Sequence, residues 1–312
     1  MKKLIWLMGI SAGGVFLGGV AHAEVKYPYK MINGEVVYQR YGNVAPVSLD
    51  GAKKNDFILL ANSDDMAVGR SDNNYYCNGT RLPKDFDPST AKVLDAFLLT
   101  NTGAYAGCKL IPQTVDAEQF TALEFPFYSD GKHIFTRSGD VMENVDIATF
   151  KAPVMNQAYD KKHYFYAGKN KIVIPYQHSV KICTPSASWA NVDSQVYYRG
   201  EKRADVDASS LHCLTQNTAV SNAGFYTSGK LQPFAAEGIN ASNITSVKND
   251  DKVFTDGPHV WFVNVDAQLL EGVNSKSLNL EKDGSDYTIN DGSSKWECAS
   301  FQNVGEPACH KV

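Results

Sequence analysis

The chain has 312 residues, with 30 lysines and arginines against 34 aspartates and glutamates, so its formal net charge is −4. Charges of both signs are interspersed, which excludes the clustered basic surface expected of a nucleic-acid-binding protein. A spanning helix needs about 20 strongly apolar residues, and no such run follows the N-terminal segment. We therefore expect no stable membrane insertion of the mature protein.

The first 23 residues have the pattern of a secretory signal peptide. Lys2 and Lys3 precede an apolar stretch over 4–20, and Ala21-His22-Ala23 has the small-x-small pattern of a cleavage site. An uncleaved membrane anchor is the alternative, but glycines that include Gly13, Gly14, Gly18 and Gly19 interrupt the apolar stretch. The sequence therefore predicts an exported protein, either periplasmic or secreted from the cell.

A polar turn followed by an aromatic strand recurs along the chain at steps of 29 to 39 residues. Asn-Gly and Asp-Gly in several copies are strong hairpin signals, because glycine accepts the positive φ that such turns need. The turns begin at Asn33, Asp72, Asn101, Asp130, Asp160, Asp193, Asn222 and Asp256, with a ninth candidate at Asp291. Each repeat is thus predicted to open with a β-hairpin.

A second recurring signature follows the hairpins: an apolar residue, an Asp or Asn, three further residues, and another apolar residue. An Asp or Asn in this place accepts the free N–H groups of a helical turn, and the flanking apolar pair has the spacing of a hydrophobic staple. The capping residues are Asp87, Asp116, Asp146, Asp207, Asn240 and Asn274. Each hairpin is therefore expected to be followed by one or two helical turns.

These signatures predict a mainly β fold of tandem repeats of about 30 residues, stacked because no single repeat buries its own apolar face. We expect an open, solenoid-like array, since about 30 residues are short for a four-stranded propeller blade; a closed propeller-like ring is the alternative. The expected parts are a signal peptide (1–23), an atypical N-terminal repeat or cap (24–60), tandem repeats (61–282) and a disulfide-closed C-terminal cap (283–312).

The motif Asp160-Lys161-Lys162-His163-Tyr164-Phe165-Tyr166-Ala167-Gly168-Lys169 resembles the signature of the DKNYY family, bacterial proteins named for an Asp-Lys-Asn-Tyr-Tyr motif. The element Asp146-Ile147-Ala148-Thr149-Phe150 also resembles those repeats. The resemblance is best over about 60–215. It implies no activity, cofactor or site residue, because the family is functionally uncharacterised.

Six cysteines lie beyond residue 23, and an even number in an oxidising compartment predicts disulfides. Six cysteines allow 15 connectivities, of which the repeat spacing favours pairing in sequence order. The predicted pairs are Cys77 with Cys108, Cys183 with Cys213, and Cys298 with Cys309. Metal binding is the competing interpretation, but the chain has no Cys-x-x-Cys pair.

Several residues invite a catalytic or metal-binding interpretation, and each has a structural alternative. His133, His163 and His259 all lie three residues after a turn Asp, so a turn or strand role is favoured over a metal site, which would lack a third ligand. The turn aspartates (Asp72, Asp130, Asp160, Asp193 and Asp256) are expected to cap their own turns rather than to bind calcium. No cofactor is predicted.

Two short matches, Ser89-Thr90-Ala91-Lys92 and Ser71-Asp72-Asn73, resemble parts of a penicillin-recognising site. Their order is reversed relative to that family, and both fall on repeat positions, so the structural interpretation is favoured. The mature chain has no Gly-x-Ser-x-Gly or His-Glu-x-x-His motif and no phosphate-binding Gly-rich loop. The sequence thus leans against an enzyme without excluding a Ser/His/Asp site assembled from distant repeats.

Repeated aromatic residues provide the remaining functional hypothesis. Trp189, Trp261 and Trp296 are candidate binding residues, because exposed aromatic rings stack on sugars or on a partner chain; filling of the shared core is the alternative. The favoured function is a recognition scaffold for an unknown protein or glycan partner. The alternatives are a cell-envelope hydrolase with a site between repeats, and a passive envelope or surface component.

Overall fold

The computed structural model describes residues 5–6, 27–167, 171–300 and 307–312. The predicted signal peptide, apart from residues 5 and 6, and the last two residues of the Asp160–Lys169 motif lie outside the described residues. The chain divides into two compact units, Met1–Ile147 and Ala148–Val312. Both consist of small antiparallel sheets that follow one another along the chain, which confirms the predicted mainly β tandem architecture.

The first unit contains four sheets in its described residues, numbered here in chain order. Their strands are short, and none of these sheets closes on itself within the described ranges. The strands are Tyr29–Ile32, Glu35–Tyr38 and Val47–Ser48 in sheet 1; Ile58–Asn62, Ala67–Ser71, Asn74–Cys77 and Thr80–Arg81 in sheet 2; Lys92–Leu94, Phe97–Leu99, Ala104–Ala106 and Lys109–Leu110 in sheet 3, with Ile5–Trp6 added beside Lys92–Leu94; and Thr121–Ala122, Phe127–Ser129 and Ile134–Thr136 in sheet 4.

The second unit contains five four-stranded sheets in its described residues. Each is a meander in which consecutive strands pair. The strands are Lys151–Val154, Gln157–Tyr159, His163–Ala167 and Lys171–Pro175 in sheet 5; Val180–Ile182, Trp189–Val192, Gln195–Tyr198 and Glu201–Arg203 in sheet 6; His212–Cys213, Thr218–Ser221, Gly224–Thr227 and Lys230–Pro233 in sheet 7; Thr245–Ser246, Val253–Thr255, Val260–Val263 and Ala267–Leu269 in sheet 8; and Asn279–Asp283, Asp286–Asn290, Lys295–Ala299 and Cys309–Lys311 in sheet 9.

Each of the nine predicted polar turns joins two neighbouring strands of one sheet, so the hairpin prediction is confirmed. Gly34 and Gly131 have φ of +85° and +83°, the conformation for which glycine was expected there. The repeat is richer than predicted, because one or two further strands flank most hairpins. About 30 residues hold four strands because the strands are only two to five residues long, so the length argument against a four-stranded repeat is wrong.

Short 3₁₀ turns follow several hairpins where capping was predicted. Asp87, Asn240 and Asn274 each accept a hydrogen bond from the N–H group two residues further on, at 2.9 to 3.0 Å. The 3₁₀ turns are Pro88–Thr90, Ile147–Thr149, Ala241–Asn243, Val247–Asn249 and Ser275–Ser277. The capping prediction is therefore confirmed at these three residues.

The segments after Asp116 and Asp207 form single turns and no 3₁₀ helix; after Asp207 the Leu211 N–H donates to the Asp207 carbonyl at 3.2 Å. After Asp116 and Asp207 the carboxylate accepts N–H groups of the next residues, but the backbone forms only a turn. The Asp116 N–H donates to the Asp130 carboxylate at 3.3 Å. In a capping box the side chain of Gln119 would accept this N–H instead. The side-chain cap thus shapes these segments without a repeated helical hydrogen bond.

A hydroxyl three residues after the capping position ties each of three turns to the hairpin that follows. The Thr90 hydroxyl accepts the N–H of Asn101 at 3.2 Å, and the Thr149 hydroxyl accepts the N–H of Lys161 at 3.1 Å. Ser210 makes the same contact with the third hairpin. The Thr of the Asp-x-x-Thr-Phe element therefore fixes the hairpin turn relative to the capped turn.

The central strands are buried on both faces, because each sheet packs against its neighbours within a unit. Tyr164, Phe165 and Tyr166 point alternately to opposite sides of one strand, yet their exposed fractions are 0, 1 and 7%. Tyr164 and Tyr166 pack with Ala190 and Val192 of sheet 6. The aromatic strands therefore fill the core between sheets and leave no ring face for recognition at these positions.

Glycines at hairpin turns allow adjacent sheets to approach closely. A Cβ at Gly229 would lie 2.5 Å from Cε1 of Tyr198 in sheet 6, and a Cβ at Gly200 would lie 2.6 Å from Cδ1 of Ile172 in sheet 5. Carbon atoms pack at about 3.5–4.0 Å, so a side chain at either glycine would push the sheets apart. These glycines are thus explained by packing between repeats.

All six cysteines form disulfides in the predicted sequence order. Cys77–Cys108 joins sheet 2 to the turn between strands Ala104–Ala106 and Lys109–Leu110 of sheet 3. Cys183–Cys213 joins sheet 6 to sheet 7. Cys298–Cys309 joins two neighbouring strands of sheet 9. No helix among the described residues is long and apolar enough to cross a membrane.

Candidate functional site

The three tryptophans predicted as binding residues lie in the core. Trp189, Trp261 and Trp296 have exposed fractions of 1, 2 and 9%. Trp189 packs against Tyr198 and Tyr226 with ring centroids 4.7 and 5.3 Å apart. A buried indole ring presents no face to a ligand. The burial of these three tryptophans therefore does not support their predicted role in binding.

The three histidines that follow turn aspartates share one local geometry. In each, a ring nitrogen, Nδ1, lies within hydrogen-bonding distance of the Asp three residues earlier: His133 with Asp130 and His259 with Asp256 at 3.2 and 3.0 Å. His163 repeats the contact at 3.4 Å. The recurrence at one repeat position shows that this pair belongs to the hairpin turn, as the structural interpretation predicted.

Asp130, Asp160 and Asp256 accept hydrogen bonds from the backbone of their own turns. The Asp130 carboxylate accepts the N–H groups of Lys132 and His133 at 2.9 and 2.6 Å. Burial alone would raise the pKa of Asp130, but these hydrogen bonds and the His133 ring outweigh burial and hold the pKa below its ordinary value. The carboxylate is therefore a structural anion within the turn.

Asp193 differs from the other turn aspartates, because it caps the loop that precedes its own hairpin. Its carboxylate accepts three successive N–H groups, those of Gln177, His178 and Ser179, at 2.8 to 2.9 Å. These hydrogen bonds, led by the one from Ser179, lower the pKa of Asp193. Across the described residues, no three His, Cys, Asp or Glu side chains are grouped so that they could hold a metal ion.

The two short matches to a penicillin-recognising site have structural roles. The Ser89 hydroxyl donates to the capping carboxylate of Asp87 at 2.6 Å. The buried Ser71 hydroxyl donates to Asp56 at 2.6 Å and accepts the N–H of Lys53. Both hydroxyls therefore stabilise turns, as the repeat positions predicted.

A cleft of about 770 Å³ lies in the second unit beside the Asp256–His259 turn. One wall is the segment 257–259, and the other is the segment 269–276, which includes the end of sheet 8 and the next capped turn. The Ser275 hydroxyl donates to the Gly257 carbonyl and so joins the walls. The cleft is large enough for a small ligand, since such sites span about 300–1,000 Å³.

The cleft combines an apolar base with polar groups at its rim. Leu270 and Val273 are buried in the core, whereas Glu271 and Lys276 are exposed. Because Asp256 occupies Nδ1 of His259, the other ring nitrogen, Nε2, is the one left for a ligand. The arrangement supplies a carboxylate, an ammonium group and an imidazole for binding.

Both His259 and the capping residue Asn274 were identified from the sequence, but the sequence did not predict that the segment 269–276 lies opposite the hairpin turn. The one available signal was Gly272 between the last strand of sheet 8 and the capping residue Asn274, where φ is +81°. Only the structure shows that this turn faces the hairpin turn about 15 residues earlier in the chain, because the strands between them determine the distance between the two turns.

A comparison with known protein families gives a match over part of the chain. No curated protein matches the chain. Residues 31–169 match the model of the DKNYY family, and the cleft at 257–276 lies C-terminal to the matched residues. The matched segment contains both motifs, Asp146–Phe150 and Asp160–Lys169, on which the resemblance was based. Residues 31–169 are therefore similar to the DKNYY family, the family that the two motifs resemble.

Proposed function

We propose that this protein is an exported repeat scaffold that recognises a protein or glycan partner in the periplasm or outside the cell. Export is supported by the signal-peptide pattern of residues 1–23 and by the three disulfides, which persist in oxidising compartments. Recognition is supported by the cleft at 257–276, where polar side chains that the core does not need surround a concave surface.

Capture from the cell envelope tests this function. The tagged mature protein is incubated with solubilised envelope, and bound material is identified by mass spectrometry. Glu271→Trp fills the cleft from an exposed position, and Glu237→Trp is the matched control, because Glu237 is also exposed but does not line the cleft. We expect one partner that the control retains and Glu271→Trp loses; equal capture by both variants would contradict recognition at the cleft.

A cell-envelope hydrolase is the second candidate, and one observation favours it: His259, with its Asp256 partner, and Ser275 line the same cleft. Among the described residues the Ser275 hydroxyl bonds to Gly257 and makes no hydrogen bond to His259. His259→Ala should abolish any hydrolysis of envelope material, and His163→Ala is the control, because it removes the same turn contact away from the cleft. Equal activity of both variants would exclude this site.

A further inference from the structure

Two opposite charges line the cleft without partners. Within the described part of the chain, Glu271 and Lys276 form no ion pair with each other or with another side chain, although both line the cleft. Elsewhere, neighbouring opposite charges do pair, as Lys295 and Glu297 do at 2.8 Å. The two unpaired charges therefore offer a ligand one anionic and one cationic contact.

Within the described residues, the cleft offers no aromatic ring on which a sugar could stack. The nearest tryptophan, Trp261, is buried below His259, with ring centroids 5.6 Å apart, and no Tyr, Phe or Trp is among the lining residues. Pro258 and Leu269 provide aliphatic surface instead. The lining thus suits a ligand with opposite charges at its ends and small aliphatic groups between them.

We propose that the cleft binds a short peptide with a free α-ammonium group and a free α-carboxylate, the ammonium at Glu271 and the carboxylate at Lys276. This proposal rests on the proposed recognition function and names its ligand class. The His259 Nε2 atom is available to a peptide amide. Since each residue adds about 3.3–3.6 Å to an extended chain, a peptide must match the separation of the two charges to contact both, so binding should depend on peptide length.

Calorimetric titration with alanine peptides of two to four residues tests the proposal. Each is compared with the same peptide acetylated at its N-terminus, amidated at its C-terminus, or blocked at both ends. We expect the free peptides to bind with an optimum at one length, and each blocked end to weaken binding by about twofold to fivefold, as the loss of an exposed charge pair does.

Charge-neutral variants assign each end of the peptide to its partner. Glu271→Gln should bind acetylated and free peptides equally while still discriminating against amidation, and Lys276→Gln should show the reverse. Glu237→Gln is the control and should behave as the unmodified protein, because Glu237 lies outside the cleft. Each variant changes an exposed side chain, so folding should be retained and is checked by the unfolding midpoint.

Three results would overturn the proposal: no alanine peptide binds, blocked peptides bind as tightly as free ones, or both variants keep full discrimination at both ends. These failures are distinguishable from failure of the recognition function. If no peptide binds but envelope capture is still lost in Glu271→Trp and kept in Glu237→Trp, recognition holds and only the ligand class is wrong. If capture is also unaffected, both are wrong.

Discussion

Replacement of Gly229 by alanine tests the close packing of neighbouring sheets. Gly229 follows Ser228 in a hairpin turn where both residues have positive φ, 79° and 49°. A Cβ there would lie 2.5 Å from Cε1 of Tyr198, about 1 Å closer than ordinary carbon contacts. Alanine should cost about 1–2 kcal/mol for the left-handed backbone and a further ~1–3 kcal/mol for overpacking.

The matched control is Gly34→Ala. Asn33 and Gly34 form the same kind of turn, with φ of 51° and 85°, but a Cβ at Gly34 meets nothing within 4 Å. Gly34→Ala should therefore cost only the backbone component, about 1–2 kcal/mol. Gly284→Ala, at φ +59° and also in open space, provides a second control within the second unit.

Urea unfolding with the disulfides intact measures these costs from the midpoint and slope of each transition. A double-mutant cycle with Tyr198→Ala isolates the packing component, since removal of the ring should reduce the cost of Gly229→Ala to that of the controls. Equal costs at Gly229, Gly34 and Gly284, or no coupling to Tyr198, would refute close packing between sheets 6 and 7.

Three further predictions concern acid, disulfides and the capped turns. The folded-state pKa of Asp193 is depressed, so the stability that Asp193 contributes is present above its unfolded pKa and is lost as the pH falls through the folded pKa. Asp193→Asn should therefore flatten the acidic limb of a curve of stability against pH and speed amide exchange at 177–179. An unchanged acidic limb would contradict this prediction. Replacing both cysteines by alanine should cost roughly 3.6 kcal/mol for Cys183–Cys213 and roughly 2.8 kcal/mol for Cys298–Cys309, because the separations are 30 and 11 residues; the reverse order in urea unfolding would contradict the loop-length argument. Thr149→Val removes the hydroxyl that accepts a hydrogen bond from the next hairpin turn and should destabilise by about 0.5–1.5 kcal/mol, whereas Thr149→Ser should restore most of the loss.

The hairpin turns were predictable because their chemistry is local. Asn33-Gly34 and Asp130-Gly131 carry in two residues the positive φ that the turn needs, and Asp87 caps the next turn through a residue two positions away. The outer strands were not predictable in the same way. Strands such as Thr80–Arg81 contain two residues, too few to show an alternating pattern.

Burial of the aromatic residues depends on contacts that are distant in sequence. Nothing within Tyr164-Phe165-Tyr166 distinguishes a strand with one exposed face from one enclosed on both sides; the second layer over Tyr164 and Tyr166 comes from Ala190 and Val192. The same holds for Trp189, whose neighbour Tyr226 lies 37 positions along the chain. Sequence reasoning therefore located the aromatic positions correctly and left their exposure open.

The candidate site was only half visible for a related reason. The Asp256–His259 pair was found because it repeats a turn motif, and repetition itself argued for structure over function. The segment 269–276 follows the repeat pattern, so nothing in its sequence marks it as functional. Its charged residues become candidates for binding only because the hairpin turn and the capped turn form a cleft together. A function located between two segments needs their distance in space, which spacing in the sequence does not supply.

Site-specific crosslinking in intact cells tests recognition at the cleft most directly. A photo-crosslinking residue is introduced at Glu271, and in a parallel variant at Glu237, each exposed and only the first lining the cleft. We expect an adduct from position 271 in the exported fraction that the variant at 237 does not form. The same adducts from both positions, or none from position 271, would contradict it.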